Sequence, residues 1–438
     1  MMDVRRTLAR FRALTGALIV LGSPCLVHAE TLEDAWKLAL TRDSALAAAT
    51  SDAEGARAEE RAARGARWPS VDASGGYTRL NASPTLDVST PNFTFRSGPI
   101  FRDDQFTTGT VQLRLPLYAG GQISAGIDAA QHKATGASEV QQSTAATLKL
   151  EVAEAYVDVL RARHGLEAAN SSVASLTSHV ADVQHLVDRE LVPRSDLLAA
   201  KVALADAEQA RVRAANAVEI AQAAYNRRLG EPLSRIPELE EKVPSDAALP
   251  ASPVETLVRQ AMDSRSELKA MAAQVAAFDS RSRAESGERL PQLALTGGYT
   301  HFDNSILDRQ NVSMVGVGVT WNLFDGGQAR NRSAALRSAS RASQSRLDDL
   351  RSNIELQVRE SWLSVQEAQA RVKASAEAVA QADENLRSSR ELYGADLATN
   401  TQVLDAVTLR IRAVNNRDNA LLDESLARVR LEYAVGAL

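Results

Sequence analysis

The stretch Gly75-Gly76-Tyr77-Thr78 recurs as Gly297-Gly298-Tyr299-Thr300, 222 residues on. The same offset carries Leu32 onto Val254, Leu46 onto Leu268 and Pro69 onto Pro291. Further along, Gly120-Gly121-Gln122 recurs as Gly326-Gly327-Gln328, now 206 residues on. That offset carries Tyr156 onto Trp362, Leu198 onto Leu404 and Gly230 onto Gly436. The offsets 222 and 206 differ by 16, so the first copy holds 16 extra residues between Tyr77 and Gly120. A long unit written twice points to pseudo-symmetric architecture rather than to a single active site.

Each copy carries two alternating stretches. In residues 70–80, Val71, Ala73, Gly75 and Tyr77 share one side and Asp72, Ser74, Gly76 and Thr78 the other. In 107–117, Val111, Leu113, Leu115 and Leu117 oppose Thr110, Gln112 and Arg114. The second copy repeats the pair at about 292–301 and 312–323, where Val315, Val317, Val319, Trp321 and Leu323 alternate with Gly316, Gly318, Thr320 and Asn322. Ten residues with one apolar and one polar face match a membrane-spanning strand, and equally a half-buried soluble one. The 16 extra residues, with Pro84, Pro91 and Pro99 around them, read as a loop between the first two strands.

Helical stretches flank the strands. Residues 31–65, rich in Ala, Glu and Arg, read as a helix ended by Trp68-Pro69. A long helix reads from about 121 to 190, where Val152, Val159, Leu166, Val173, Val180 and Val187 keep a seven-residue period, repeated as Val358, Val365, Val372, Val379, Leu386 and Tyr393. Small residues such as Ala155, Ala162, Ala169, Ser361 and Ala368 fill the alternate seam positions, so neighbouring helices can approach closely. Such a heptad run imposes a left-handed supercoil. Breaks at 191–196 and 397–402 start returning helices, with Ser195 and Thr401 as expected caps. The reading divides the chain into 30–230, a proline-rich linker at 231–253, and 254–438.

The N-terminus carries Arg5, Arg6, Arg10 and Arg12, an apolar run to Leu21, and Val27-His28-Ala29. Residues 1–29 therefore read as a secretory signal, cleaved after Ala29. The only cysteine, Cys25, lies inside it, and Pro24 before it makes a poor lipoprotein signal. A net charge of −5 without a basic block disfavours nucleic acid. Aromatics at 4 % are few for a large globular core, which suits long, closely packed helices. His179 and His185 stand six apart on different helix faces, without metal-ligand spacing, and the Gly-Gly pairs lack the lysine of a phosphate loop. No nucleophile, base and orienting group assemble, so the chain reads as non-enzymatic, with no cofactor.

Four strands leave two open edges, which hydrocarbon does not tolerate. Membrane strands would therefore require oligomers: a dimer supplies eight strands, a trimer twelve. A periplasmic coiled-coil spacer without a pore explains the heptads but not four amphipathic strands placed symmetrically at the helix ends.

The run Leu323-Phe324-Asp325-Gly326-Gly327-Gln328, its degenerate copy Leu117 to Gln122, and Val403-Leu404-Asp405-Ala406 together resemble the outer-membrane efflux protein family, the TolC-like ducts of Gram-negative bacteria. The resemblance spans nearly the whole mature chain. It implies a mainly α homotrimer with a twelve-stranded β-barrel in outer-membrane lipid, continued by a periplasmic α-helical coiled-coil barrel. It also implies a passive exit duct for tripartite efflux or type I secretion. The partners would be a periplasmic membrane-fusion adaptor and an inner-membrane pump of RND or ABC type. Within the family pattern, Asp405 matches a ring aspartate of the gate and Gln402 stands where a second one occurs. Asp196 matches a latch acceptor and Tyr393 a latch tyrosine, whereas Ala398 replaces the latch arginine. The tips Leu191, Val192, Pro193, Arg194 and Ser195, and Leu397, Ala398, Thr399, Asn400 and Thr401, resemble adaptor-docking ends.

Overall fold

A computed structural model of the chain describes residues 29–82, 85–99, 105–241, 253–303 and 309–438. The expected signal up to residue 28, with Cys25, lies outside the described residues, as do Pro84 and positions 242–252 of the expected linker. The helices obey the repeat offsets to the residue. Helix α1 (Leu32–Arg42) and α2 (Ser44–Gly65) are followed by β1 (Ser70–Arg79), a small hairpin β2 (Thr85–Thr90) and β3 (Phe93–Pro99), and β4 (Gln105–Ala119). Then come α3 (Gln122–Asp188) and α4 (Arg194–Leu229). The second copy is α5 (Val254–Ser264), α6 (Ser266–Gly287), β5 (Gln292–Asp303), β6 (Asn311–Thr320), α7 (Gln328–Gly394) and α8 (Asn400–Val435).

Three sequence expectations need correction. The stretch 31–65 is two helices, because Asp43 adopts extended backbone and its carboxylate accepts from the Leu46 N–H at 2.8 Å, capping α2. The insertion is not a plain loop: β2 and β3 pair antiparallel around Pro91-Asn92, and the exposed rings of Phe93 and Phe95 stack at 6.4 Å. The last strand ends at Thr320 rather than 323, where the Trp321 indole turns to donate to the Arg289 carbonyl at 3.0 Å.

Helices α3 and α7 each have 67 residues and α4 and α8 each 36. At about 1.5 Å per residue the long ones run roughly 100 Å. The heptad positions supply their core: Val152, Val159, Val358 and Val365 are fully buried. A cluster around α1, α3, α4 and α8 centres on Tyr156 and Tyr225, whose rings meet edge to face at 5.9 Å. Tyr225 donates to the Glu30 carboxylate and Tyr156 to the carbonyls of Glu30 and Glu240, tying the segment around Glu30 to the start of the inter-repeat stretch. A second cluster links α5, α7 and α8, and two smaller ones follow the hairpins to their tips.

The main sheet has the antiparallel order β1-β4-β5-β6, so the two copies meet at β4 and β5. Its register pairs Val71 with Leu113, Leu113 with Gly297, Leu295 with Val317 and Leu293 with Val319. Odd residues thus share one face across all four strands, and even residues the other. A bulge between Pro116 and Tyr118 alters the phase only at the helix end of β4. The odd face carries Val71, Val111, Leu113, Val315, Val317 and Val319, all exposed in the protomer. Asp72, Ser74, Thr110, Gln112, Arg114 and Thr296 lie on the even face. β1 and β6 are the sheet's edges. Among the described residues no helix is long and apolar enough to cross a membrane.

The strand-to-helix joints differ between the copies. In the second, the Asp325 carboxylate accepts from the N–H groups of Gly327 and Ala329 at 2.7 and 2.8 Å. Ala119 stands in its place in the first copy. There, Gly120 (φ +58°) lies against α6: an added Cβ would come within 2.5 Å of the Gly287 carbonyl oxygen and 2.8 Å of Leu290 Cβ. Gly326 (φ +67°) has open space around it. Gly326→Ala is expected to cost about 1–2 kcal/mol from its left-handed backbone alone. Gly120→Ala adds overpacking of roughly 1–3 kcal/mol. Urea unfolding followed by helical circular dichroism should therefore rank Gly120→Ala as the more damaging; equal losses would contradict the close packing at this joint.

Candidate functional site

The distal ends of the two helical hairpins carry the residues that the family pattern singles out. Both turns use the same device. Glu190 (φ +58°) and Asp396 (φ +62°) occupy the left-handed region, 206 residues apart. The next N–H reaches back five residues, from Leu191 to the Leu186 carbonyl and from Leu397 to the Leu392 carbonyl, at 2.9 and 2.8 Å. This is a Schellman ending, built here on carboxylate residues rather than on glycine. Leu191 and Leu397 then project into solvent, 60 % and 75 % exposed. Val192 and Ala398 pack behind them against Val183, Leu197, Tyr393 and Val403.

The expected caps are corrected here. Ser195 and Thr401 lie inside their helices, at the second helical position. Thr399 caps α8: its hydroxyl accepts from the Gln402 N–H, while the Gln402 side chain accepts from the Thr399 N–H at 2.8 Å. That is a reciprocal capping box, so Gln402 is committed to the helix end. Pro193 occupies the equivalent position in the first copy and supplies no side-chain cap.

Behind the turns a buried polar network crosses from one hairpin to the other. His179 on α3 is 2 % exposed and Asn400 on α8 is 4 % exposed. The His179 Nε2 and Asn400 Oδ1 atoms are 2.7 Å apart. The Asn400 amide nitrogen donates to the Asp196 carbonyl at 3.1 Å, which leaves Oδ1 as the acceptor and His179 Nε2–H as the donor. The Tyr393 hydroxyl donates to the Asp196 carboxylate at 3.3 Å, and its ring lies 5.7 Å from the His179 ring. Asp196, in the first turn of α4, also meets the positive end of that helix. The structure thus brings Tyr393 and Asp196 together. Asp405 lies apart from them, exposed on α8 six residues beyond the cap Thr399.

Burial, followed by the neighbouring Asp196 charge, pushes the Tyr393 hydroxyl up to about 12 from an ordinary 10.0. The phenol is therefore a neutral donor throughout the physiological range. A raised folded value means that its contribution is complete below pH 10 and is lost as pH rises through about 12.

The profile of the outer membrane efflux protein family matches the chain twice, over residues 35–231 and 257–437. The chain belongs to this family. It is 24 % identical over 419 residues to outer membrane protein TolC of Vibrio cholerae, covering 94 % of this chain and 92 % of that one. It is 25 % identical over 416 residues to the alkaline protease secretion protein AprF of Pseudomonas aeruginosa, covering 93 % and 84 %. The solved structure of CusC superposes with a TM-score of 0.80 at 17 % identity, covering 93 % of this chain and 92 % of that one. The protein is an outer-membrane efflux or secretion channel of the TolC-like class, a family of transport ducts, located in the Gram-negative outer membrane and reaching into the periplasm.

Sequence reasoning weighed His179 only as a metal ligand and Asn400 only as part of a docking tip, and did not pair them. Their repeat equivalents are Asn385 and Arg194, so the duplication gives no sign of the pair. Removing His179 strands a buried acceptor, which costs about 1–3 kcal/mol. His179→Ala should therefore speed amide exchange in 186–200 and 394–404 roughly tenfold or more. Tyr393→Phe, which removes a longer bond and leaves a carboxylate with access to water, should have a smaller effect. The reverse order would displace His179 from the centre of the tip.

Proposed function

We propose that three copies of the chain form a passive exit duct whose twelve strands close a β-barrel in the outer membrane. The helical hairpins continue it as a tube through the periplasm. The observation that carries this reading is the main sheet: it has a single apolar face, two open edges, and a pair of helices roughly 100 Å long leading from one end. An open edge in hydrocarbon leaves backbone groups unsatisfied, and closure through neighbouring copies removes it. Pairing β6 of one protomer with β1 of the next gives an even-stranded antiparallel ring, within the known range of membrane barrels. The odd face then meets lipid. Trp68, Tyr118, Trp321 and Phe324, exposed at the helix end of the sheet, supply the aromatic girdle expected at a membrane boundary.

The tips dock a periplasmic membrane-fusion adaptor that couples the duct to an inner-membrane pump of RND or ABC type. Exposed Leu191 and Leu397, repeated at equivalent positions, offer apolar contact flanked by Pro193, Arg194 and Ser195 on one turn and by Thr399 and Thr401 on the other. Asp196 and Tyr393 form a latch within the protomer. Asp405 lines a narrow ring on the axis with its two symmetry mates, where three carboxylates bind cations that offset their repulsion. Gln402, engaged in the cap, adds no charge to that ring. The name of AprF speaks for secreted protein as cargo of this architecture.

Native mass spectrometry in detergent should show three chains per particle; a stable monomer that keeps its β-structure would remove the pore reading. In planar bilayers, Asp405→Ala should lower cation preference and weaken block by divalent ions. Unchanged selectivity and block would place Asp405 on an outer face.

A further inference from the structure

The division into an apolar odd face and a polar even face reverses at the end of the sheet farthest from the helices. There the odd positions are Arg79, Gln105, Thr107, His301, Asp303, Asn311 and Ser313. They form a polar belt: Tyr77 donates to Gln105 Oε1 at 2.5 Å, Tyr299 donates to Asn311 Oδ1 at 2.8 Å, and His301 Nδ1 lies 2.8 Å from the same oxygen. The even positions at this end include Phe106, Phe302, Val312 and Met314, with Thr78, Thr108 and Thr300 between them. Register makes them one group. Thr108 pairs with Phe302, Thr300 with Val312, Gly298 with Met314, and Thr78 with Phe106. Met314 leans over its partner: a Cβ on Gly298 would lie 3.2 Å from Met314 Cγ. Asp72 and Gln112 share the ladder row of Gly298 and Met314, and Ser74 and Thr110 share that of Thr300 and Val312, so the four apolar residues run as one diagonal stripe across β4, β5 and β6.

A polar outer belt is what a barrel needs where it leaves hydrocarbon for hydrated headgroups, so the reversal of the odd face marks the membrane boundary. That boundary does not account for four large apolar side chains in one diagonal stripe turned toward a water-filled lumen, where each has a solvation cost. We propose that Phe106, Phe302, Val312 and Met314 form an apolar collar at the outer mouth of the duct, a weak partition site for apolar groups on exiting cargo. Three copies supply twelve such side chains. The ligand class is amphiphilic small molecules and organic ions with apolar surface; small hydrated ions gain nothing there. The inference rests on the pore reading and adds a selectivity element to it.

Two measurements test it. Cys25 is the chain's only cysteine, so a Cys25→Ala background makes any introduced thiol unique. A charged, water-soluble thiol reagent added outside the cell should label Met314→Cys and spare Val315→Cys, which faces lipid. In planar bilayers, tetraphenylphosphonium added from the loop side should block the wild-type channel, whereas tetramethylammonium, of equal charge, should not. Phe302→Ser should raise the half-blocking concentration of tetraphenylphosphonium roughly tenfold through loss of apolar contact, with open-channel conductance kept. Should that variant fail to assemble, Met314→Gln, close in volume, carries the same test with a shift of about threefold. Normal conductance with unchanged block, or a Met314→Cys that the reagent does not reach, overturns the collar and leaves the duct standing. A wild-type protein that conducts nothing overturns the duct itself.

Discussion

Backbone hydrogen bonding at a sheet edge is the constraint on which the architecture turns. A helix satisfies its own N–H and C=O groups wherever it lies, but β1 and β6 each present a row that the chain's own sheet leaves at its border. Water can satisfy such a row; hydrocarbon cannot. The apolar odd face makes a fully aqueous setting costly for the same sheet. Lipid on one face and a further strand on each edge satisfy both demands together. The long hairpins follow from where the sheet's strands end, since each strand pair feeds one helix of 67 residues and one return of 36.

Duplication gives the two halves one scaffold but not one chemistry. The second copy caps its joint with Asp325 and its tip with Thr399 and Gln402; the first relies on Gly120 packed against Gly287, and on Pro193. The most buried polar contact at the tips joins residues that are not repeat equivalents, His179 of one hairpin and Asn400 of the other. Such a link holds two hairpins together without requiring each to contribute the same group. A bond between equivalent positions would ask both copies to keep a matching partner.

Much of this was legible in the sequence because it is periodic. Offsets of 222 and 206 locate every helix pair, alternation locates the four main strands, and the heptads Val152–Val159 and Val358–Val365 mark the seams that the structure buries. What stayed hidden was local or unpaired. Asp43 breaks a run that is otherwise good helix, through one side-chain hydrogen bond. Thr399 and Thr401 are equally good caps by composition, and the choice between them is made by the left-handed Asp396 upstream. The β2–β3 hairpin lies among prolines that argue against strands, one of which falls in its turn. The tips' candidate latch emerged as Tyr393 with Asp196, but His179 was weighed only as a metal ligand, since its partner is 221 residues away.

The carboxylate residues at both turns carry a kinetic meaning. L-residues there hold a backbone that glycine adopts freely, at a cost of about 1 kcal/mol each, although Asp is among the better tolerated. In exchange, Glu190 and Asp396 fix a negative charge at the extreme end of each hairpin, beside an exposed leucine. Charge at the leading point of an elongated body acts before contact is made, because its field reaches about 8 Å at physiological ionic strength. A basic surface approaching end-on is drawn into line by these groups while the leucines are still apart. On the proposed docking at the tips, encounter with a basic partner quickens as salt is lowered, whereas the lifetime of the complex, set by the apolar contact, changes little.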